Sequence, residues 1–232
     1  MLTLYIGNKN YSSWSLRPWL LLRQAGIPFT EHRLRLFSDA FARTLAQVSP
    51  AGRVPVLVDG DLSVWDSLAI CEYLAERFPQ HALWPSDAHA RAHARSVCAE
   101  MHAGFAALRS RLPMNVEAHL PRLGADPAVG GDRAVRADID RIAAMWSALR
   151  AAHAAHGPFL FGAFSAADAF YAPVVLRFRT YEPPLPAAVT DYMAAMLALP
   201  ALREWIDAAC AEREFLPEDE PYRTTGEADL FP

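Results

Sequence analysis

The chain has little cysteine, no surplus of positive charge and no long apolar run, and each shortage closes off a class of function. Three cysteines, Cys71, Cys98 and Cys210, stand far apart in 232 residues and form no CxxC pair. That usage fits a reduced, cytoplasmic protein and gives no support to a disulfide framework or a dithiol redox motif. No stretch of ~20 apolar residues exists, so no membrane span is expected. The opening MLTLYIGNKN lacks a basic region followed by a long apolar one, so no signal peptide is expected. The eight histidines are scattered, with no HExxH and no Cys/His cluster, so no metal site is expected. The formal net charge is −4, which argues against nucleic acid as a partner.

What is present is a globular composition, 53% hydrophobic and 21% charged, long enough for one large domain or two small ones. Residues 1 to about 79 alternate in type. Apolar residues 2–6 read as a strand, and a helix from about 15 to 26 ends at Gly26. Alternation over 29–34 predicts a half-buried strand, and a short helix spans about 39–48. After the break at 49–52, residues 54–58 and 62–65 form two strands about a turn at 59–61. A helix then starts at 66–67 and runs to about 78. The order βαβ, helix, ββα predicts a small mixed sheet with helices on its faces, as in thioredoxin-like folds. Beyond a Pro-bounded linker at 79–85 the chain is Ala-rich and helical in period. Helices are expected at about 86–112, 132–155, 166–180, 189–198 and 200–213. The expected organisation is therefore an α/β domain over 1–79, an all-helical domain over 86–216 and a tail over 217–232.

Three stretches carry candidate chemistry. Tyr11-Ser12-Ser13-Trp14-Ser15-Leu16-Arg17-Pro18 joins the first strand to the first helix. A helix N-terminus offers free N–H groups and a partial positive charge to an anion, and a hydroxyl placed there can donate to it. Plain capping by the same serines is the simpler alternative. At Arg53-Val54-Pro55-Val56, proline before a strand suits a cis bond that turns the preceding backbone outward to pair with a peptide-like ligand. At Asp66-Ser67, a hydroxyl and amides at a helix start can hold a carboxylate while the acid meets an ammonium group. Farther on, Met101, Phe105 and Leu108 share a helix face and are expected in the core. His102 and Arg109 interrupt that face, and Arg17 is expected to pair with a carboxylate.

Taken in order, these stretches resemble the glutathione S-transferase superfamily over nearly the whole length. Phe164-Ser165-Ala166-Ala167-Asp168-Ala169, followed by Pro173, is similar to that family's buried capping box and staple. Ser12-Ser13-Trp14-Ser15-Leu16-Arg17 resembles the zeta-class signature Ser-Ser-Cys-Ser-x-Arg, with Trp14 in place of the cysteine. Asp66 stands where the family more often has glutamate. The resemblance implies a thioredoxin-like domain followed by an all-helical one, a homodimer, and glutathione as co-substrate. It places Ser12 on the glutathione sulfur with Ser13 beside it. It places Arg53 on the glycyl carboxylate, Val54 and Pro55 on the cysteinyl unit, and Asp66 and Ser67 on the γ-glutamyl end. The implied activity is transfer of glutathione to a small electrophile lying between the domains. A zeta-like cis–trans isomerase, a peroxidase and a non-catalytic glutathione-fold binding protein are the alternatives.

Overall fold

The computed structural model describes residues 1–223. Four strands, β1 (Leu2–Ile6), β2 (Phe29–Arg33), β3 (Val56–Asp59) and β4 (Leu62–Trp65), form one sheet in the order β2-β1-β3-β4. β1 runs parallel to β2 and antiparallel to β3, with Leu4 opposite Glu31 and Leu57. A turn at Gly60, whose φ of +60° suits glycine, leads β3 into β4. Helices α1 (Ser13–Gln24), α2 (Asp39–Val48) and α3 (Ser67–Arg77) pack on this sheet. This is the thioredoxin-like arrangement expected from the element order.

The rest of the described chain is helical: α4 (Ala88–Ala103), α5 (Ala106–Arg111), α6 (Pro121–Ala125), α7 (Arg133–His153), α8 (Ala166–Tyr181), α9 (Ala187–Leu197) and α10 (Pro200–Glu212). One core runs through both halves, because α1 packs against α8 and α10 as well as against the sheet. α8 is buried along almost its full length. Its rings Tyr171 and Phe178 meet Trp146 of α7, which also meets Tyr192 of α9. Aromatic pairs at such spacing add about 0.5–1.5 kcal/mol each beyond area burial.

α8 begins with the expected capping box. Asp168 accepts from the Ser165 N–H at 2.9 Å, and the Ser165 side chain accepts from the first-turn backbone, with Ala167 N at 3.3 Å, so both halves of the box are present. Asp168 also accepts from Leu160 N and the Tyr192 hydroxyl. The box therefore joins α8, the 159–163 turn and α9.

Several boundaries differ from the sequence reading, each for a local reason. α1 starts at Ser13 rather than 15, because Ser12 already takes the cap position. β3 starts at Val56 rather than 54, since Pro55 has no N–H for the ladder. The single helix expected over 86–112 is two. Gly104 and Phe105 separate them, Phe105 at φ +55°, and a Cβ on Gly104 would lie 2.7 Å from the Glu100 carbonyl. Short α6 has no counterpart in the sequence reading. Of the expected tail, residues 217–223 fold onto the body, with Glu220 and Arg223 buried; residues 224–232 lie outside the described residues.

Candidate functional site

The loop between β1 and α1 is polar in sequence and buried in the structure. Asn8, Lys9, Asn10 and Tyr11 are all buried, and Ser12 is 8% exposed. Ser12 occupies the N-cap of α1 without using its side chain as a cap. Its hydroxyl meets Ser15 Oγ at 2.7 Å, and Ser15 also accepts the Gly7 N–H at 3.1 Å. Either hydroxyl can serve as donor in that pair. With Gly7 supplying Ser15, Ser15 can donate to Ser12 and leave the Ser12 proton for an outside acceptor. Ser13, half-buried, starts the helix itself.

Ser12 and Ser13 line a cavity of about 590 Å³. Its other walls come from Leu36 and Phe37 between β2 and α2, from Phe41 of α2, from Ala106, Arg109, Pro113 and Met114, and from Arg177 of α8 and Asp219. An adjoining cavity of about 500 Å³ is lined by Val54, Pro55, Asp66, Ser67 and His102. Trp14, Arg53, Val54 and Arg109 line both, so Trp14 forms a shared wall. Ser15 lines neither.

The second cavity holds the other candidate stretches. The Val54–Pro55 bond is cis. Asp66, at φ +74°, caps α3 by accepting from Leu68 N at 2.8 Å, and its other oxygen lies 3.4 Å from His102 Nε2. Ser67 is buried and accepts from the Arg17 guanidinium at 3.3 Å. Its own proton is thereby left for a carboxylate at the α3 N-terminus, where the exposed N–H groups favour an anion.

Arg17 has hydroxyl and aromatic partners rather than the carboxylate expected of it. It is 1% exposed and stacks 4.1 Å from the Trp14 ring centre and 4.8 Å from that of Phe170. Its Nε has no hydrogen-bond partner. Burial first, then Arg177 and Arg109, push its pKa down to about 9. Arg177, fully buried, is pushed down to about 10 mainly by desolvation, and its hydrogen bonds go to the Leu112 and Pro173 carbonyls. Arg109 donates to the His102 and Gly104 carbonyls and also lies over the Trp14 ring, 5.0 Å from its centre. With Arg53, Arg109 and Arg177 among its lining residues, the cavity that holds Ser12 is cationic. Its one lining carboxylate among the described residues, Asp219, has its pKa raised by burial and by Glu218.

The chain's own thiols are poor nucleophiles here. Cys71 and Cys98 are buried, and desolvation pushes both thiols well up. Met101, Phe105 and Leu108 are core, as expected. Sequence reasoning missed the buried polar loop before Ser12, the wall formed by Trp14, and the contributions of Arg177 and Asp219. Their partners lie up to 209 residues away, and no local pattern marks such pairings.

Comparison with known proteins agrees with this arrangement. The family model for the glutathione S-transferase N-terminal domain matches residues 11–77, and that for the C-terminal domain matches residues 87–208. The chain belongs to the glutathione S-transferase family. Among curated relatives it is 35% identical over 82 residues to a zeta-class glutathione S-transferase of Euphorbia esula, covering 35% of this chain and 36% of that one. It is 32% identical over 107 residues to a probable maleylacetoacetate isomerase of Caenorhabditis elegans, covering 46% of this chain and 49% of that one. The chain thus spans less than half the length of these relatives. Among solved structures it resembles a bacterial zeta-class maleyl pyruvate isomerase, with TM-score 0.66 and 26% identity over 89% of this chain and 97% of that one. It also resembles a glutathione transferase homolog from Burkholderia gl BGR1 with bound glutathione, with TM-score 0.66 and 23% identity over 90% and 97%.

Proposed function

We propose that this protein is a glutathione transferase in which Ser12 activates the thiol of glutathione for attack on a small electrophile. The observation that carries the reading is the placement of Ser12 and Ser13 at the start of α1, facing one cavity that adjoins a second lined by Val54, cis-Pro55, Asp66 and Ser67. Glutathione would lie with its γ-glutamyl carboxylate at Ser67 and its ammonium at Asp66. The backbone of Val54 would pair with its cysteinyl unit, Arg53 would meet its glycyl carboxylate, and its sulfur would sit by Ser12. A free thiol has a pKa near ~8.5, so a shift of about two units requires about 2.7 kcal/mol of preferential thiolate stabilisation. A hydroxyl donating to an anion contributes roughly 1.5–3 kcal/mol and a helix N-terminus roughly 0.3–1 kcal/mol, which together suffice. Ser13 is the neighbouring hydroxyl in the same cavity. A cytoplasmic homodimer belongs to the same reading; the exposed Leu62 and Trp65 beside a surface hollow on β4 and α3 would suit a second copy.

The test is an ultraviolet difference titration of glutathione with the protein, repeated with Ser12→Ala. Wild type should develop a thiolate band near neutral pH. The variant should still bind glutathione but lose the band and about 10²–10³-fold of turnover, as when a single charge-stabilising donor is removed. Saturable binding with no band in wild type would mark a non-catalytic binding protein instead.

A second reading, a zeta-like glutathione-dependent cis–trans isomerase, is favoured by one observation: Arg53, Arg109 and Arg177 line the same cavity as Ser12. Such a wall suits an electrophile that carries carboxylates, as the two similar isomerases' substrates do by name.

A further inference from the structure

The loop that presents Ser12 is held, residue by residue, by the last part of the described chain. The Asn8 carbonyl accepts the N–H groups of Tyr11 and Ser12, which sets the turn into α1. The Asn8 side chain donates to Glu214 at 2.9 Å and accepts from Leu36 N. Lys9, the chain's one lysine, donates its backbone N–H to Glu212 and pairs with Glu31 while lying over Trp19 and Trp205. Trp205 in turn donates to the Lys9 carbonyl.

Tyr11 closes the arrangement. It lines the cavity, and its hydroxyl is engaged with the carboxyl-terminal segment, donating to Glu220 at 2.5 Å and contacting the Glu214 carbonyl. Glu220 faces Arg223, whose Nε lies 3.0 Å away, and Arg223 meets Glu117 at 3.3 Å. Glu117 donates its backbone N–H to the Asn10 side chain, which returns the circuit to the loop. Four residues of this circuit, Tyr11, Glu220, Arg223 and Glu117, are buried. A buried polar ring of this kind fixes geometry strongly when its members are satisfied. Burying such groups is costly unless they are paired, and here Glu220 Oε2 and Arg223 Nε meet as an ion pair without a hydrogen bond, so the Tyr11–Glu220 hydrogen bond is the ring's tightest link to the loop.

Resting on the reading of Ser12 given above, we propose that the Tyr11–Glu220 contact is a positioning device for Ser12, through which residues 214–223 govern activation of the bound thiol. In this scheme the Tyr11 hydroxyl is committed to Glu220 and acts by holding the backbone from which Ser12 projects.

The test is the pH titration of the bound-thiolate absorbance in wild type, Tyr11→Phe, Glu220→Ala and the double variant, with glutathione affinity and thermal melting measured alongside. Tyr11→Phe removes the donor and Glu220→Ala the acceptor of one contact. Each should therefore cut the thiolate fraction at a fixed pH below the wild-type midpoint about three- to tenfold, equivalent to a rise of roughly half to one unit in the bound thiol's pKa. The double variant should fall no further, as expected for two ends of one interaction. Removing the Glu220 charge would by itself favour a nearby thiolate, so a purely electrostatic role predicts the opposite direction for Glu220→Ala. Glu204→Gln breaks the exposed Arg23–Glu204 pair, which also joins α1 to α10, and should leave the titration unchanged. Additive losses, an unchanged midpoint in both single variants, a lowered midpoint in Glu220→Ala, or an equal shift in Glu204→Gln would overturn the proposal. Should Tyr11→Phe fail to fold, the sign of the Glu220→Ala shift decides. A wild type without any thiolate band would remove the reading of Ser12 itself, and the positioning role with it.

Discussion

Arg17 shows at the scale of one residue how stability and binding can pull apart. A guanidinium buried with a hydroxyl and two rings, but no carboxylate, is paid for elsewhere in the fold. Its contribution is the hydrogen bond to Ser67 Oγ, which frees the Ser67 proton for the carboxylate in the proposed binding mode. Arg17→Met keeps the apolar stem and removes the buried charge. It should leave the melting temperature unchanged or raised, while glutathione affinity falls about tenfold, the equivalent of 1.4 kcal/mol for one lost charge-assisted arrangement. Calorimetric titration beside a thermal melt checks this; unchanged affinity would reduce Arg17 to a packing residue. The arginine's position in the Ser-rich signature was readable from sequence, but its partner was not. The choice between a carboxylate and Ser67 depends on α3 closing over α1, fifty residues apart.

Elements with a local signature were legible, and those set by tertiary contact were not. β1 and β4 carry their apolar patterns openly, and α8 announces its start with Ser165 and Asp168. The break between α4 and α5 escaped because Gly104 and Phe105 sit inside an otherwise unbroken helical period, and only the contact with the Glu100 carbonyl makes glycine necessary. The α8 capping box also has a pH signature. Burial raises the Asp168 pKa from 3.8 to about 6, although Leu160, Ser165 and Tyr192 all donate to it. The folded protein thus holds this proton more tightly than the unfolded chain. The contribution is complete below about pH 4 and is lost as pH rises through 6. Asp168→Asn does not titrate, so its cost should be greatest near pH 4 and smaller at pH 7, by on the order of 2–3 kcal/mol at about 1.36 kcal/mol per unit. Denaturant unfolding of both proteins at the two pH values measures the difference. An equal cost at both would mean that the three donors cancel the effect of burial.

Across the whole molecule, the site is assembled from segments that only the complete fold brings together. Ser12 comes from the first loop, Arg53 from the turn before β3, Arg109 from α5, Arg177 from α8 and Asp219 from the carboxyl-terminal segment. A sequence pattern could locate the proposed glutathione end, whose residues lie within 70 of the N-terminus. It could not count the cations lining the Ser12 cavity, because they are scattered over 125 residues and each looks like a solvated charge in isolation. Their assembly predicts a preference. Among electrophiles of similar size, those bearing a carboxylate should be turned over at lower KM than neutral ones. Arg109→Met should raise KM for the carboxylate-bearing compound at least about tenfold, matching the loss of one charged hydrogen bond, and change it less than about threefold for the neutral one. Added salt should compress the wild-type preference only modestly, because a half-buried guanidinium is screened far less than an exposed one. If Arg109→Met raises both KM values alike, the residue acts by holding Trp14 and the helix break at Gly104. The cationic wall would then serve the fold rather than the choice of substrate, and the isomerase reading would lose the observation on which it stands.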